Sequence, residues 1–218
     1  VLARAPLEEV TEDISPQDRG SRVHGILRQF YEQWNGPITP QNRDRARTLL
    51  ASLADRAFRR DADTFRNRRE RDRFLLVMAE RFLDAEEAFW TQGYRPRYLE
   101  RKIDRYALRL NDGTSVELHA KIDRIDVDDQ GNFIIVDYKT GRYPQPRKGI
   151  DQEIFQLPLY AVMAQEAPAP LDEPGARLRR AVGLAYYDLA GNFGASARDV
   201  VLYDREAGGD QPAVKPLA

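Results

Sequence analysis

Residues 121–140 read KIDRIDVDDQGNFIIVDYKT and form the most informative segment of this 218-residue chain. Two stretches rich in β-branched and aromatic residues, 116–127 and 133–140, flank a polar, glycine-containing turn at 128–132. The pattern predicts two antiparallel strands joined by a short loop. A third strand at 98–110 precedes them, before an Asn-Asp-Gly turn, so we expect a meander of three antiparallel strands.

The turn also fixes which charged residues face each other. If its centre lies near Gln130, Asp123 stands opposite Asp137, and Lys121 stands opposite Lys139. Side chains alternate along a strand, so Asp137 and Lys139 share one face. Opposed residues have Cβ atoms about 4.5–5.5 Å apart, and two carboxylates at that separation repel each other.

A divalent cation between Asp123 and Asp137 would relieve this repulsion, because Mg²⁺ prefers carboxylate oxygens. A metal-activated water beside Lys139 would then provide the components of a phosphodiester-cleaving site. The alternative is a checkerboard of Lys–Asp pairs on a solvated sheet face. Against it, the charges follow directly on the apolar run 133–136, at the end of a strand that we expect to be buried.

The composition excludes several classes of site. With no cysteine, the chain has no disulfide, thiolate zinc site or cysteine-ligated iron–sulfur cluster. No apolar run approaches the roughly 20 residues of a membrane span, so we expect no membrane partner and a cytoplasmic setting. Only five of the 34 basic residues are lysines. Arginine suits phosphate recognition, but a compositional bias toward arginine explains the excess more simply.

Elsewhere the chain alternates between helical and strand-like patterns. The first 20 residues have few periodic apolar positions, and Pro158 predicts a kink or a late start in the last helix. The expected elements are helices at 21–34, 41–59, 68–90 and 151–165, strands at 181–189 and 199–203, a loop at 167–175, and a flexible tail at 206–218.

Five motifs in order resemble the PD-(D/E)XK nuclease superfamily and, more narrowly, the RecB/AddB-type nuclease domains of bacterial helicase–nucleases. The resemblance spans about residues 20–165, and its strength comes from the order and spacing of the motifs. The motifs are GSRVHGIL at 20–27, YLE at 98–100, IDRID at 122–126, DYKTG at 137–141 and QLPLY at 156–160.

The resemblance implies a role for individual residues. Asp123 and Asp137 would bind the metal, together with His24 and the backbone carbonyl of Tyr138, and Lys139 would be the catalytic lysine.

Three more residues would support the site. Glu100 would tune the metal site, although a salt bridge to a neighbouring basic residue is an alternative. Gln156 and Tyr160, one helical turn apart, would position DNA or the active site, or else mark the edge of an amphipathic helix. Asp126, on the face opposite Asp123, is interpreted as structural.

The resemblance further implies an α/β fold of the restriction-endonuclease type, with a mixed central sheet flanked by helices. Residues 1–93 would form a helical region that contributes a metal-site helix, residues 94–205 the nuclease core, and residues 206–218 a flexible tail. The implied activity is Mg²⁺- or Mn²⁺-dependent cleavage of DNA, as single strands or duplex ends, alongside a helicase domain or subunit. Some relatives carry an iron–sulfur cluster, which a chain without cysteine cannot hold. The alternative is an inactive module of the same fold that binds DNA or a partner.

Overall fold

The computed structural model describes residues 14–59, 64–90, 93–141, 156–166, 178–190 and 198–202. Five α-helices and five strands are assigned within these ranges, and no helix among them is long and apolar enough to cross a membrane. The helices are α1 (Pro16–Gln33), α2 (Arg43–Arg59), α3 (Phe65–Arg73), α4 (Ala79–Trp90) and α5 (Gln156–Glu166). The strands are β1 (Arg95–Arg109), β2 (Ser115–Val127), β3 (Asn132–Lys139), β4 (Arg180–Asp188) and β5 (Arg198–Leu202).

The strands form one mixed sheet in the order β1-β2-β3-β4-β5. The first three strands are antiparallel neighbours, which confirms the predicted meander. β4 then runs parallel to β3, and β5 is antiparallel to β4. A parallel neighbour requires a crossover connection, and α5 lies in the segment that makes it. The mixed α/β architecture is therefore the one expected from the sequence.

The sheet buries side chains on both faces. Ile134, Val136 and Tyr138 of β3 pack with the N-terminal helices in one apolar cluster. Phe133 and Ile135, which alternate with them, pack with residues of α5 in a second cluster. The first cluster contains residues of the helices before residue 93 and of the strands after it. The domain boundaries expected at residues 93 and 205 stay a prediction.

The N-terminal helices depart from the sequence expectation in two places. α1 begins at Pro16 rather than near Ser21, because Ser15 caps it by accepting a hydrogen bond from the Asp18 N–H and proline suits the first turn. The helix expected at 68–90 is two helices, α3 and α4, separated by a π-helical turn at Phe74–Met78.

Other expectations concern residues outside the described ranges. They are the start of the last helix before residue 156, the loop at 167–175 and the tail at 206–218. Pro158 lies at the third position of α5 as described.

A buried arginine connects the sheet to the helices. The Arg124 side chain of β2 is fully buried and donates to both carboxylate oxygens of Asp126, at 2.5 and 2.8 Å. It also donates to Glu86 of α4, at 2.9 and 3.1 Å, and to the hydroxyl of Tyr31 of α1, at 2.7 Å. Burial opposes the charge of Arg124, but the two carboxylates outweigh it and hold its pKa well above the ordinary value.

We predict that Arg124→Met lowers the free energy of unfolding by about 3–5 kcal/mol, because it leaves two carboxylates buried without their partner. Urea unfolding monitored by circular dichroism measures this. Tyr31→Phe should cost about 1–3 kcal/mol, since it removes the hydroxyl that donates to Glu86 and accepts from Arg124. The free energy of unfolding of the Tyr31→Phe variant tests the same network if the Arg124→Met variant does not fold.

The matched control is Arg28→Met on α1. Arg28 pairs with Glu32 at 3.7 Å on an exposed surface, so its loss should cost less than about 1 kcal/mol. Equal costs for the Arg124 and Arg28 variants would contradict the role given to the buried network.

Candidate metal and catalytic site

The site forms where β2 and β3 stop pairing. The ladder has the predicted register and ends at the pair Arg124↔Val136. Asp123 and Asp137 come next in that register. Here the Tyr138 N–H donates to the side chain of Asp123, with 3.0 Å between the nitrogen and Oδ2, rather than to a backbone carbonyl of β2. The strands therefore separate at the two acids that the sequence analysis placed opposite each other.

His24 reaches this point from α1 and spans both strands. Its Nδ1 lies 3.2 Å from Asp123 Oδ1, and its Nε2 lies 3.2 Å from the Tyr138 carbonyl oxygen. Both neighbours are acceptors. Burial lowers the pKa of His24, but the hydrogen bond and the charge of Asp123 outweigh burial, so that the pKa is raised. The imidazole thus occupies a place that favours positive charge.

Glu100 of β1 completes a cluster of potential ligands. One ligand atom from each of His24, Glu100 and Asp123 lies within 4.8 Å of the others. Glu100 is the only non-glycine residue with positive φ in the described chain, at 53°. An L-residue pays about 1–2 kcal/mol for this conformation, and such strain is concentrated at functional sites. The sequence analysis gave Glu100 only a supporting role, because strand composition does not reveal backbone strain.

Asp137 and Lys139 lie on β3 as an ion pair. Lys139 Nζ is 2.6 Å from Asp137 Oδ2, and both side chains are largely shielded from solvent. Burial and then the negative charge of Asp123 raise the pKa of Asp137, and the positive charge of Lys139 opposes the shift only in part. Lys139 also lies over the ring of Tyr186, 5.3 Å from its centroid. Its ammonium is therefore held on both sides.

The other sequence-predicted residues have different surroundings. Gln156 donates to the hydroxyl of Tyr160 at 2.8 Å, so these two contact each other on α5. Lys121 pairs across the sheet with Lys102 of β1, and its ammonium contacts Glu100. The β2–β3 ladder ends before the Lys121–Lys139 position, so that expected pairing stays a prediction.

The sequence analysis missed the role of Arg124 and was correct that Asp126 points away from Asp123. Both side chains are fully buried on the side of the sheet where Arg124 contacts Glu86 of α4. The signal was available: in IDRID an arginine and an aspartate two residues apart share one face of a strand with apolar neighbours. That pattern indicates a buried ion pair as readily as a solvated strand face.

The residues fit a hard divalent cation. The donor set is one imidazole, several carboxylate oxygens and a backbone carbonyl, which suits Mg²⁺ or Mn²⁺. Asp137 Oδ2 is moreover buried without a well-aligned hydrogen-bond donor, and its close contact is the Lys139 ion pair. An acid held in this state has a lone pair to offer a cation.

These elements define an α/β protein with a mixed sheet and an Asp–Asp–Lys cluster at the point where two central strands part. The chain matches the family model of the PD-(D/E)XK nuclease superfamily over residues 2–213 and belongs to that superfamily. No curated protein matches the chain significantly.

We predict that Asp137→Asn raises the melting temperature at pH 7 in EDTA. A carboxyl group whose pKa is raised by folding destabilises the fold at every pH where it is ionised, so neutral asparagine removes that cost. Each kcal/mol gained corresponds to about 2–4 °C for a chain of this size. Differential scanning calorimetry measures the change.

Asp126→Asn is the matched control and should shift the melting temperature in the opposite direction. Asp126 is fully buried against Arg124, so neutralising it removes a favourable charge rather than a repelled one. A lower melting temperature for both variants would contradict the electrostatic description of Asp137.

Proposed function

We propose that the protein is a Mg²⁺- or Mn²⁺-dependent nuclease that hydrolyses phosphodiester bonds of DNA. The observation that carries the proposal is the convergence of His24, Glu100 and Asp123 within 4.8 Å, next to the Asp137–Lys139 pair. The strained backbone of Glu100 and the two repelling acids are costly for folding, and such strain is concentrated at functional sites.

His24, Asp123, Asp137 and the Tyr138 carbonyl would hold the cation, and Glu100 would complete its surroundings. Bound there, a divalent cation polarises the scissile phosphate and lowers the pKa of a bound water. The ligands come from four elements: α1 provides the imidazole, and β1, β2 and β3 provide the carboxylate and carbonyl oxygens.

Lys139 is the residue that acts on the substrate. Its ammonium has three N–H donors and lies beside Asp137, where the cation and the phosphate would meet. These donors would orient the attacking water and stabilise the negative charge that develops on the phosphate oxygens. The water oxygen forms a bond to phosphorus and gives up a proton to solvent, and the bond from phosphorus to the sugar oxygen breaks. That oxygen takes up a proton from solvent, so the strand ends in a phosphate monoester and a hydroxyl.

The setting in the cell is part of the proposal. The motif order favours a RecB/AddB-type module that works in the cytoplasm with a helicase domain or subunit in DNA repair and recombination. Single strands, which a helicase produces, and duplex ends would be its substrates. The alternative, an inactive DNA-binding or scaffolding module, predicts binding without cleavage.

We predict that Lys139→Gln and Asp123→Asn each reduce Mg²⁺-dependent cleavage of labelled DNA at least about 100-fold, because the first removes a positive charge at the reacting phosphate and the second removes a carboxylate that would hold the cation. Gel electrophoresis of the products measures the rate. Arg105→Gln is the control, since Arg105 is exposed on β1, five residues beyond Glu100, and should leave cleavage within about two-fold of the parent.

The two leading functions separate in this assay. A parent protein that binds DNA but leaves it intact with either Mg²⁺ or Mn²⁺ would favour the inactive module. Cleavage by the Lys139 and Asp123 variants at the parent rate would mean that the active site lies elsewhere.

A second prediction concerns the metal itself. The chain has two histidines, so His24→Ala and His119→Ala form a matched pair. His24→Ala should weaken Mn²⁺ binding at least about ten-fold by isothermal titration calorimetry, because it removes a ligand. His119 is exposed on β2, 3.5 Å from Glu117, and its loss should leave the affinity unchanged. Equal affinities for both variants would remove His24 from the metal site.

A further inference from the structure

A groove lined with arginines lies between α1 and α2. Its volume is about 570 Å³, and it is open to solvent. Arg22 and Arg28 of α1 and Arg56 of α2 line it, together with the neutral Ser21, Gly25, Gln29 and Ala57. No acidic residue is among the described residues that line it. With a formal net charge of −1 for the whole chain, this is a local concentration of positive charge.

The groove adjoins the proposed metal site along α1. Ser21 lies one helical turn before His24, and Arg28 lies one turn after it. Residues three and four apart on a helix have Cβ atoms about 5–6 Å apart. The groove therefore begins at the surface of α1 next to the imidazole that faces Asp123.

Neighbouring groups orient the arginines of the groove. Arg22 donates to the Ala57 carbonyl at 3.1 Å, and its guanidinium lies over the Phe58 ring. Arg56 donates to the neutral Ser52 hydroxyl at 2.8 Å. The contact of Arg28 with Glu32 is long, at 3.7 Å, and exposed, so it contributes little. Because a guanidinium carries five N–H donors, Arg28 and Arg56 keep both charge and donors for an anion.

Gly25 on the wall of the groove gives an independent indication. Glycine inside a helix costs about 1 kcal/mol relative to alanine. A Cβ built at Gly25 would meet nothing within 4 Å, so packing within the described protein does not require glycine there. The bare backbone instead keeps the groove open beside the arginines.

From these observations we infer that the groove binds the phosphate backbone of a single DNA strand and leads it to the metal site. This inference rests on the proposed nuclease function, whose substrate path it describes. Guanidinium groups contact phosphates in a planar, bidentate way, and such contacts fix the position of a strand without reading its sequence.

The test measures binding in EDTA, where cleavage does not intervene. The probe is a fluorescein-labelled single-stranded oligonucleotide, followed by fluorescence anisotropy over a series of salt concentrations. The double variant Arg28→Gln/Arg56→Gln should bind about ten-fold or more weakly than the parent. Its plot of log affinity against log salt should be shallower by about 0.7 for each phosphate that the variant no longer neutralises.

Two further variants make the result specific to the groove. Arg105→Gln removes one positive charge from an exposed position on β1 and should keep the parent's affinity. Gly25→Glu adds a carboxylate to the wall of the groove, at a position where a Cβ has open space, and should weaken binding to a similar extent as the double variant. Urea unfolding of each variant, compared with the parent, shows that the fold is retained.

The inference is overturned if the double variant and Gly25→Glu bind with the parent's affinity and salt dependence, or if the parent does not bind the oligonucleotide at low salt. Its failure differs from a failure of the nuclease proposal. A parent that cleaves DNA while the groove variants bind normally refutes the groove alone. A parent that binds through the groove but never cleaves refutes the nuclease alone.

Discussion

The guanidinium of Arg124 lies between the sheet and the helices, out of contact with solvent, and bonds to Glu86 of α4 and Asp126 of β2. Charges removed from water are costly unless they are paired, so α4 and β2 can pack only in the arrangement that brings these groups together. Tyr31 adds α1 to the same network, because its hydroxyl donates to Glu86 and accepts from Arg124. One ionic cluster thus fixes α1 and α4 relative to the central strands, in a core that is otherwise apolar.

Tyr138 transmits this arrangement to the candidate site. Its hydroxyl accepts a hydrogen bond from Arg124 at 3.3 Å on the helical side of the sheet. Its backbone N–H donates to Asp123, and its carbonyl faces the imidazole of His24, which α1 supplies. The buried cluster and the candidate metal ligands therefore both include residues of β3 and of α1. The acids repel each other and Glu100 has a strained backbone, so the stability of the buried network offsets what the site costs.

The sequence predicted the elements whose signals are local. The turn at 128–132 fixed the β2–β3 register, and motif order identified His24, Asp123, Asp137 and Lys139 as a group. It did not predict the positive φ of Glu100, since that conformation results from the surrounding sheet rather than from the residue. Nor did it predict that Lys121 contacts Glu100, because this contact depends on how β1 and β2 pair across the sheet. Arg124 was overlooked because a charged residue in a strand resembles a solvated position until its partners on distant helices are known.

The central claim is that His24, Asp123 and Asp137 hold a divalent cation beside Lys139. A crystal structure of the protein grown with Mn²⁺, with data collected for anomalous scattering, tests it most directly. The account predicts a strong anomalous peak within bonding distance of an imidazole nitrogen of His24 and of carboxylate oxygens of Asp123 and Asp137, with the Lys139 ammonium nearby. A structure at saturating Mn²⁺ with no peak at this cluster, or with the two aspartates turned away from each other, would contradict it.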